Sequence, residues 1–322
     1  MDPSEERLDP SEECRAFAPG SIGNLACGFD VMGLALEGAG DEVVVRRHAD
    51  PGIRISTITG DGGRLSTDPR RNTAGAAAGA VLDLLGSREG LEMEIHKGLP
   101  LAAGMGGSAG SAVAAAVAVN ALLDARLSPE ALLGCALVGE AVASGARHPD
   151  NAAPSLVGGL VLTPAWEPLR IIPLEVPEDL HSVHVHPRLE VETAGARRVL
   201  GDSISLEAGV AQWGNTAALV AGLFREDWEL IARSVQDRVA EPLRAPAIPG
   251  FAAVKEAALN AGALAASLSG SGPSLFALCR GRERAAAVGE AMVQAFAKAG
   301  LEAHLLVSRG RAPGARILER GP

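Results

Sequence analysis

A chain of 322 residues, 47% hydrophobic and 21% charged, has an ordinary globular composition and is long enough for two domains. Its net charge is −10, and half of that sits in Asp2, Glu5, Glu6, Asp9, Glu12 and Glu13 against Arg7, so the rest is only mildly acidic. That balance argues against a nucleic-acid backbone or an anionic membrane surface as the main partner, since both need a basic face.

Taken in chain order, Asp2-Pro3-Ser4-Glu5-Glu6 recurs as Asp9-Pro10-Ser11-Glu12-Glu13. With nothing to bury, residues 1–13 are expected to be a disordered acidic tail. The start is acidic and polar where a signal peptide would be basic and then apolar. Strands are expected over 14–18, 29–37 and 42–48, the last two joined by Gly38-Ala39-Gly40-Asp41 as a hairpin, with a further strand at 53–58. Residues 72–85 have helical spacing, with Gly86 placed to end the helix. Residues 91–95 alternate apolar and charged and read as a half-buried strand. It leads into a glycine loop and then an alanine-rich helix over 109–123, which falls short of the roughly 20 apolar residues of a membrane span. Ser128 followed by Pro129 predicts a capped helix to about 144. Strands are expected at 158–162 and 170–174, and Pro173 and Pro177 mark a boundary, giving domains over 14–175 and 176–322. The second half reads as strand 183–185, helices 194–200, 205–224, 228–233 and 251–261, strands 263–268 and 275–278, helix 283–299 and strand 303–307. Two strands between two helices with a closing strand suggest a split β-α-β layer.

Cys14, Cys27, Cys135 and Cys279 are scattered, so they signal neither a zinc site nor a disulfide framework. A reduced cytoplasm fits that usage. Glycine is abundant (39 residues), so glycines alone carry little weight.

The loop is Pro100-Leu101-Ala102-Ala103-Gly104-Met105-Gly106-Gly107-Ser108-Ala109-Gly110-Ser111. Gly104, Gly106 and Gly107 let the backbone turn sharply and approach an anion. The free N–H groups and positive dipole end of the following helix would face it. A P-loop would carry a lysine before its Ser/Thr, and none lies between Pro100 and Ser111. Any phosphate held here is neutralised by something else.

Other blocks stand beside the loop: residues 18–30 (Ala-Pro-Gly-Ser-Ile-Gly-Asn-Leu-Ala-Cys-Gly-Phe-Asp), residues 140–154 with His148-Pro149-Asp150-Asn151, the set Thr193, Arg197 and Arg244, and the turn Ser267-Leu268-Ser269-Gly270-Ser271-Gly272-Pro273-Ser274. The loop, the first block and the serine-glycine turn resemble the three motifs of the GHMP kinases, the superfamily of galactokinase, homoserine kinase, mevalonate kinase and phosphomevalonate kinase. Residues 23–30 and 144–154 resemble the homoserine kinases in particular, and the likeness runs from about residue 14 to about 307.

The resemblance implies an α+β GHMP kinase fold. It would comprise a ribosomal-protein-S5-like N-terminal ATP-binding domain and a ferredoxin-like α/β-plait C-terminal domain that completes the homoserine site. It implies ATP-dependent phosphorylation of the side-chain hydroxyl of L-homoserine to O-phospho-L-homoserine in threonine biosynthesis, with Mg²⁺, in a cytoplasmic homodimer. Phosphoryl transfer rests mainly on positioning and charge stabilisation. With no loop lysine, Mg²⁺ matters more, and hard oxygen donors suit it: Glu140 and Ser108 are the residues expected to hold it. Homoserine presents an ammonium, a carboxylate and a hydroxyl. Arg197 and Arg244 match the family's carboxylate-binding positions, and Asp30 suits the ammonium. Asn24 and Asn151 suit the hydroxyl, His148 shapes that wall, and Asn72 matches a position near adenine. No residue is an obvious general base, so catalysis is expected to rest on alignment and Mg²⁺, the hydroxyl proton passing to the phosphate. Met105 and Gly107 replace the family loop's usual leucine and first serine, and Ala26-Cys27 stands where Gly-Pro is frequent.

Taken singly, Arg197 and Arg244 read as surface charges, Glu140 as a solvated helix residue and His148 as a loop or capping histidine. Their joint order with the loop favours the kinase reading. The alternatives are a superfamily kinase for mevalonate-like or shikimate-like alcohols, and a non-catalytic ligand sensor on the same fold.

Overall fold

The computed structural model describes residues 12–190 and 193–321. The expected acidic tail lies outside the described residues except for Glu12 and Glu13. These two are pinned, by Glu12 to Arg47 at 2.8 Å and Glu13 to Arg46 at 2.6 Å, and Glu13 already opens the first strand.

Strand β1 (Glu13–Gly23) buries Cys14, Ala16 and Ala18 on one face and pairs antiparallel with β2 (Met32–His48). The hairpin expected at 38–41 does not form, because β2 is one 17-residue strand. Ala18 still pairs with Asp41 and Pro19 with Gly40, and the register shifts between Pro19 and Ser21. A Cβ at Gly40 would lie 2.4 Å from the Ala18 carbonyl oxygen. The glycines thus let β2 bend closely over a bulge instead of reversing.

β3 (Gly52–Thr59) precedes α1 (Thr73–Leu85), which Asn72 caps by accepting from the Ala74 and Gly75 N–H groups and which Gly86 ends in a left-handed conformation. β4 (Gly90–His96) pairs antiparallel with β2 and parallel with β3. Next come α2 (Gly107–Leu122) and α3 (Pro129–Ser144), the latter capped by Ser128 as expected. The 148–154 block had no assigned structure in the sequence, and it opens a helix, α4 (Pro149–Val157). Two short strands, β5 (Leu160–Leu162) and β6 (Ile172–Leu174), follow.

The second half contains β7 (Leu180–Pro187), α5 (Thr193–Arg198), α6 (Leu206–Arg225), α7 (Trp228–Ser234), α8 (Glu241–Arg244) and α9 (Phe251–Asn260). It ends with β8 (Ala265–Leu268), β9 (Leu275–Arg280), α10 (Arg282–Lys298), β10 (Ala303–Arg309) and β11 (Arg316–Arg320). Its antiparallel sheet has the order β10-β7-β9-β8, that of a ferredoxin-like plait. β11 was not foreseen. It crosses back to pair with β1, so the first sheet runs β11-β1-β2-β4-β3 with β5 and β6 attached, and residues 316–320 lie in the N-terminal layer.

The alanines of α2 explain the packing of the first layer. Ala112, Ala114, Ala115, Ala116 and Ala118 are fully buried, and their small side chains let α2 lie close to the sheet and to α1 and α3. A second apolar cluster joins the two halves, with Leu25, Leu99 and Met105 of the first packed with Leu219 and Phe276 of the second. The functional residues open into the cleft along this seam. Among the described residues no helix is long and apolar enough to cross a membrane.

Candidate active site

A cleft of about 370 Å³ lies between the layers, and the glycine loop forms one wall. Gly106 is the N-cap of α2, with φ +67° and no side-chain cap, so the first N–H groups of the helix are left for a ligand. A Cβ at Gly106 would sit 2.3 Å from Ser21 Oγ, and one at Gly104 2.6 Å from the Ser269 carbonyl oxygen. Both positions require glycine for close approach as well as for φ. The loop is fastened from outside: Ser269 Oγ donates to the Gly104 carbonyl at 2.7 Å, the Ser21 N–H donates to the Met105 carbonyl at 3.0 Å, and Ser274 Oγ donates to the Ala103 carbonyl. The serine-glycine turn of the second sheet is therefore a clamp on the loop.

Glu140 projects from the last turn but one of α3 and is 6% exposed. Burial pushes its carboxyl up to about 7, against a Ser108 hydroxyl hydrogen bond and the positive charge of Lys97. Its Oε1 is buried with no hydrogen-bond partner. A buried carboxylate oxygen without a partner is costly and wants a donor or a cation. Among the described residues no three His, Cys, Asp or Glu side chains gather to hold a metal. Mg²⁺ is commonly bound by one or two protein oxygens plus substrate phosphates and water. Glu140 and Ser108 fit such an ion.

At the other end of the cleft the charges pair with one another. Arg197 Nη1 donates to Asp30 Oδ2 at 2.6 Å, and His148 Nδ1 lies 3.5 Å from the same oxygen. Arg244 is buried, fixed by the Ala196 and Gly270 carbonyls at 3.0 Å each. Both guanidiniums lie over the Phe29 ring, 5.2 and 5.7 Å from its centroid. Asn24 has φ 68° and organises this corner: its Oδ1 accepts from the Asp30 N–H at 2.9 Å and its Nδ2 donates to the Gly270 carbonyl at 3.3 Å. Asn151 Oδ1 accepts from Ser21 Oγ at 2.9 Å, and its Nδ2 donates to Asp150 Oδ2 at 3.2 Å. Burial lowers the pKa of both His148 and Arg244.

Of the residues expected from sequence, Asn24, Asp30, Ser108, Glu140, His148, Asn151, Arg197 and Arg244 line this one cleft together with Pro100, Leu101, Ala102, Ala103, Gly104, Gly106 and Gly107. Met105, Ala109 and Gly110 are buried behind it. Asn72 is apart from the lining, because its Oδ1 caps α1 and its Nδ2 donates to the Ser66 carbonyl at 2.9 Å. Thr193 lies in α5, and its side chain is outside the described residues. Several lining residues were missed: Arg64, Lys97, Ser111 and Asp150. Asp150 is buried, and its carboxylate accepts from the Asn24 backbone N–H as well as from Asn151, which stiffens the left-handed run Asn24-Leu25-Ala26. Burial pushes its carboxyl up to about 7, reinforced by the negative charges of Asp30 and Glu140.

With this geometry in view, comparisons with known proteins agree at three levels. Residues 72–159 match the GHMP kinases N terminal domain and residues 219–298 the GHMP kinases C terminal domain. The chain is 46% identical over 318 residues to a homoserine kinase of Chloroherpeton thalassium, covering 95% of this chain and 100% of that one. It is 47% identical over 306 residues to a homoserine kinase of Xanthomonas campestris, covering 95% and 94%. A solved homoserine kinase structure from Cytophaga hutchinsonii superposes with TM-score 0.92 at 42% identity, covering 98% of this chain and 100% of that one.

Proposed function

The chain belongs to the homoserine kinases of the GHMP kinase superfamily, and on that premise we propose that it transfers the γ-phosphate of ATP to the side-chain hydroxyl of L-homoserine, giving O-phospho-L-homoserine and ADP. The observation that carries the reading is the pairing inside one cleft of two unlike ends. One is a glycine loop with a buried acid beside it, and the other is a set of charges whose signs complement a zwitterionic amino-acid alcohol.

The residue roles follow from that arrangement. Gly104 to Ser108 hold the phosphates through backbone N–H groups. Glu140 Oε1 and the Ser108 hydroxyl would hold Mg²⁺, whose positive charge would offset that of the phosphates. Asp30 takes the substrate ammonium, and Arg197 and Arg244 take its carboxylate. Asp30 and Arg197 satisfy each other, and a zwitterion can insert between them. Asn151, already oriented by Ser21 and Asp150, presents its amide to the hydroxyl, and His148 closes that wall. Asp30 is engaged by the Arg197 guanidinium and the His148 ring, which suits binding better than proton abstraction. The proton leaves the hydroxyl for the transferred phosphate as the new P–O bond forms and the bond to ADP breaks.

The reading includes an N-terminal ATP-binding domain over 14–175, closed by the returning strand β11, and a C-terminal domain that completes the substrate corner. It also includes a cytoplasmic homodimer supplying threonine biosynthesis. The test is ADP release across homoserine, shikimate, mevalonate and galactose, with and without Mg²⁺. Turnover with homoserine alone, dependent on Mg²⁺, is expected. Preference for an alcohol without an ammonium, or ATP binding with no turnover on any acceptor, overturns it.

A further inference from the structure

The glycine loop carries no lysine, yet a lysine reaches it from outside. Lys97 follows β4, and its side chain is 2% exposed. Its ammonium is ion-paired with Asp41 and donates to the Gly107 carbonyl at 2.7 Å and to Ser111 Oγ at 2.8 Å. Asp41, in the middle of β2, is fully buried. Its Oδ1 accepts the Gly98 and Leu99 N–H groups at 3.0 and 3.1 Å, and its Oδ2 accepts from Ser111 Oγ at 2.7 Å as well as from Lys97. One carboxylate therefore ties the chain entering the loop to Ser111 in the second turn of α2, and its partner Lys97 reaches the Gly107 carbonyl in the first. Lys97 and Ser111 line the cleft and Asp41 stands behind them, so the pair turns its positive end towards the cleft.

A buried ion pair is weak evidence for stability, since apolar residues of similar volume often serve as well, and its retention calls for a positional reason. Here the fixed element is the helix start whose N–H groups face the phosphates, and displacing a binding group by about 1 Å can cost up to about a hundredfold in rate. Resting on the kinase reading above, the geometry points to Asp41 as a positioning residue for the nucleotide: acting through Lys97 and Ser111, it sets the place and tilt of the first turn of α2 and holds the Lys97 ammonium against the phosphate end of the cleft. Asp41 does not touch substrate, and Ser111 acts as the bridge.

The test compares the full-length wild type with Ser111→Ala and with the double variant Asp41→Asn/Lys97→Met, which removes both charges so that neither is left buried alone. Three quantities are read: binding of a non-hydrolysable ATP analogue with Mg²⁺ by calorimetry, the separate KM values for ATP and homoserine, and thermal midpoints. The double variant is expected to bind the analogue more weakly and to raise the ATP KM by about tenfold or more, and Ser111→Ala to raise it by about threefold to fivefold, with the homoserine KM within about twofold of wild type. Wild-type nucleotide affinity in both folded variants overturns the proposal, as does a parallel rise in both KM values with a lowered thermal midpoint, the mark of a merely structural role. If the double variant does not fold, Ser111→Ala, which keeps the ion pair, decides alone. Lack of wild-type turnover with homoserine would sink the kinase reading while leaving the analogue titrations to decide the role of Asp41.

Discussion

The two ends of the cleft are built differently. At the nucleotide end the loop carbonyls of Ala103, Gly104 and Met105 are each bound by a group from elsewhere in the chain, and the polar residues behind the loop, Asp41, Lys97 and Ser111, are buried and mutually satisfied. At the substrate end Arg244 is fixed by backbone carbonyls, but Asp30 and Arg197 hold each other, with side chains 26% and 46% exposed. A partly exposed ion pair is worth little on its own, so a ligand can replace it at small cost. On the proposed reading the nucleotide end is set before binding, whereas the substrate end is expected to exchange partners on binding.

Substitutions at the two ends should therefore behave unlike each other. The largest effect is expected at Glu140, among the described residues the one acid with a buried oxygen left unpaired. Glu140→Gln should lower kcat by about a thousandfold with little change in homoserine KM, since metal-assisted charge stabilisation contributes several kcal/mol to transfer. Steady-state kinetics at saturating Mg²⁺ check this, and a loss below about tenfold would move the metal site elsewhere. Next is Arg244→Lys, which loses the fixed fork while keeping the charge. The homoserine KM should rise about thirtyfold or more and the ATP KM should stay put. Arg197→Lys, at the more exposed partner, should cost less, about fivefold in the same constant.

A pH effect follows from the buried acid between the ends. Asp150 has its carboxyl pushed up to about 7 from an ordinary 3.8, so the folded chain holds that proton more tightly than the unfolded chain does. Its stabilising contribution is complete below about pH 4 and is lost as pH rises towards 7. The thermal midpoint of the ligand-free protein should fall between pH 5 and pH 8, and the fall should be a few degrees smaller in Asp150→Asn. Equal slopes in the two proteins would contradict the assignment.

The smallest effect is expected at Gly107, where the family loop usually has serine. A Cβ there meets Leu99 Cβ and the Pro100 carbonyl oxygen at 3.5 Å and Lys97 Nζ at 3.6 Å, ordinary contacts. Gly107→Ser should fold normally and change the ATP KM by less than about threefold, measured beside wild type.

How far this was legible in the sequence differs along the chain. Capped helices such as α1, with Asn72 and Gly86 at its ends, announce themselves through local side-chain chemistry. The 38–41 segment misled because two glycines near an aspartate look the same whether a chain reverses or bends over a bulge. Only the pairing of Ala18 with Asp41 decides between them. The return of β11 onto β1 is a contact across the whole chain and leaves no local trace. Among the site residues, the motif positions were legible because they fall in family order, but their supports were not. A signal for two of them existed. Leu91, Met93 and Ile95 face inward, and Lys97 continues that parity, while Asp41 shares the inward parity of Val43 and Val45. Extending the strand alternation past its last apolar residue points to a buried pair of opposite charges beside the loop.

The exchange of partners at the substrate end is tested most directly by Asp30→Asn, assayed with homoserine and with 4-hydroxybutyrate, which lacks the ammonium. The homoserine KM should rise about thirtyfold with kcat within about threefold, and the preference for homoserine over the amine-free alcohol should shrink accordingly. A collapse of kcat with the homoserine KM unchanged would contradict this and make Asp30 the base that takes the hydroxyl proton.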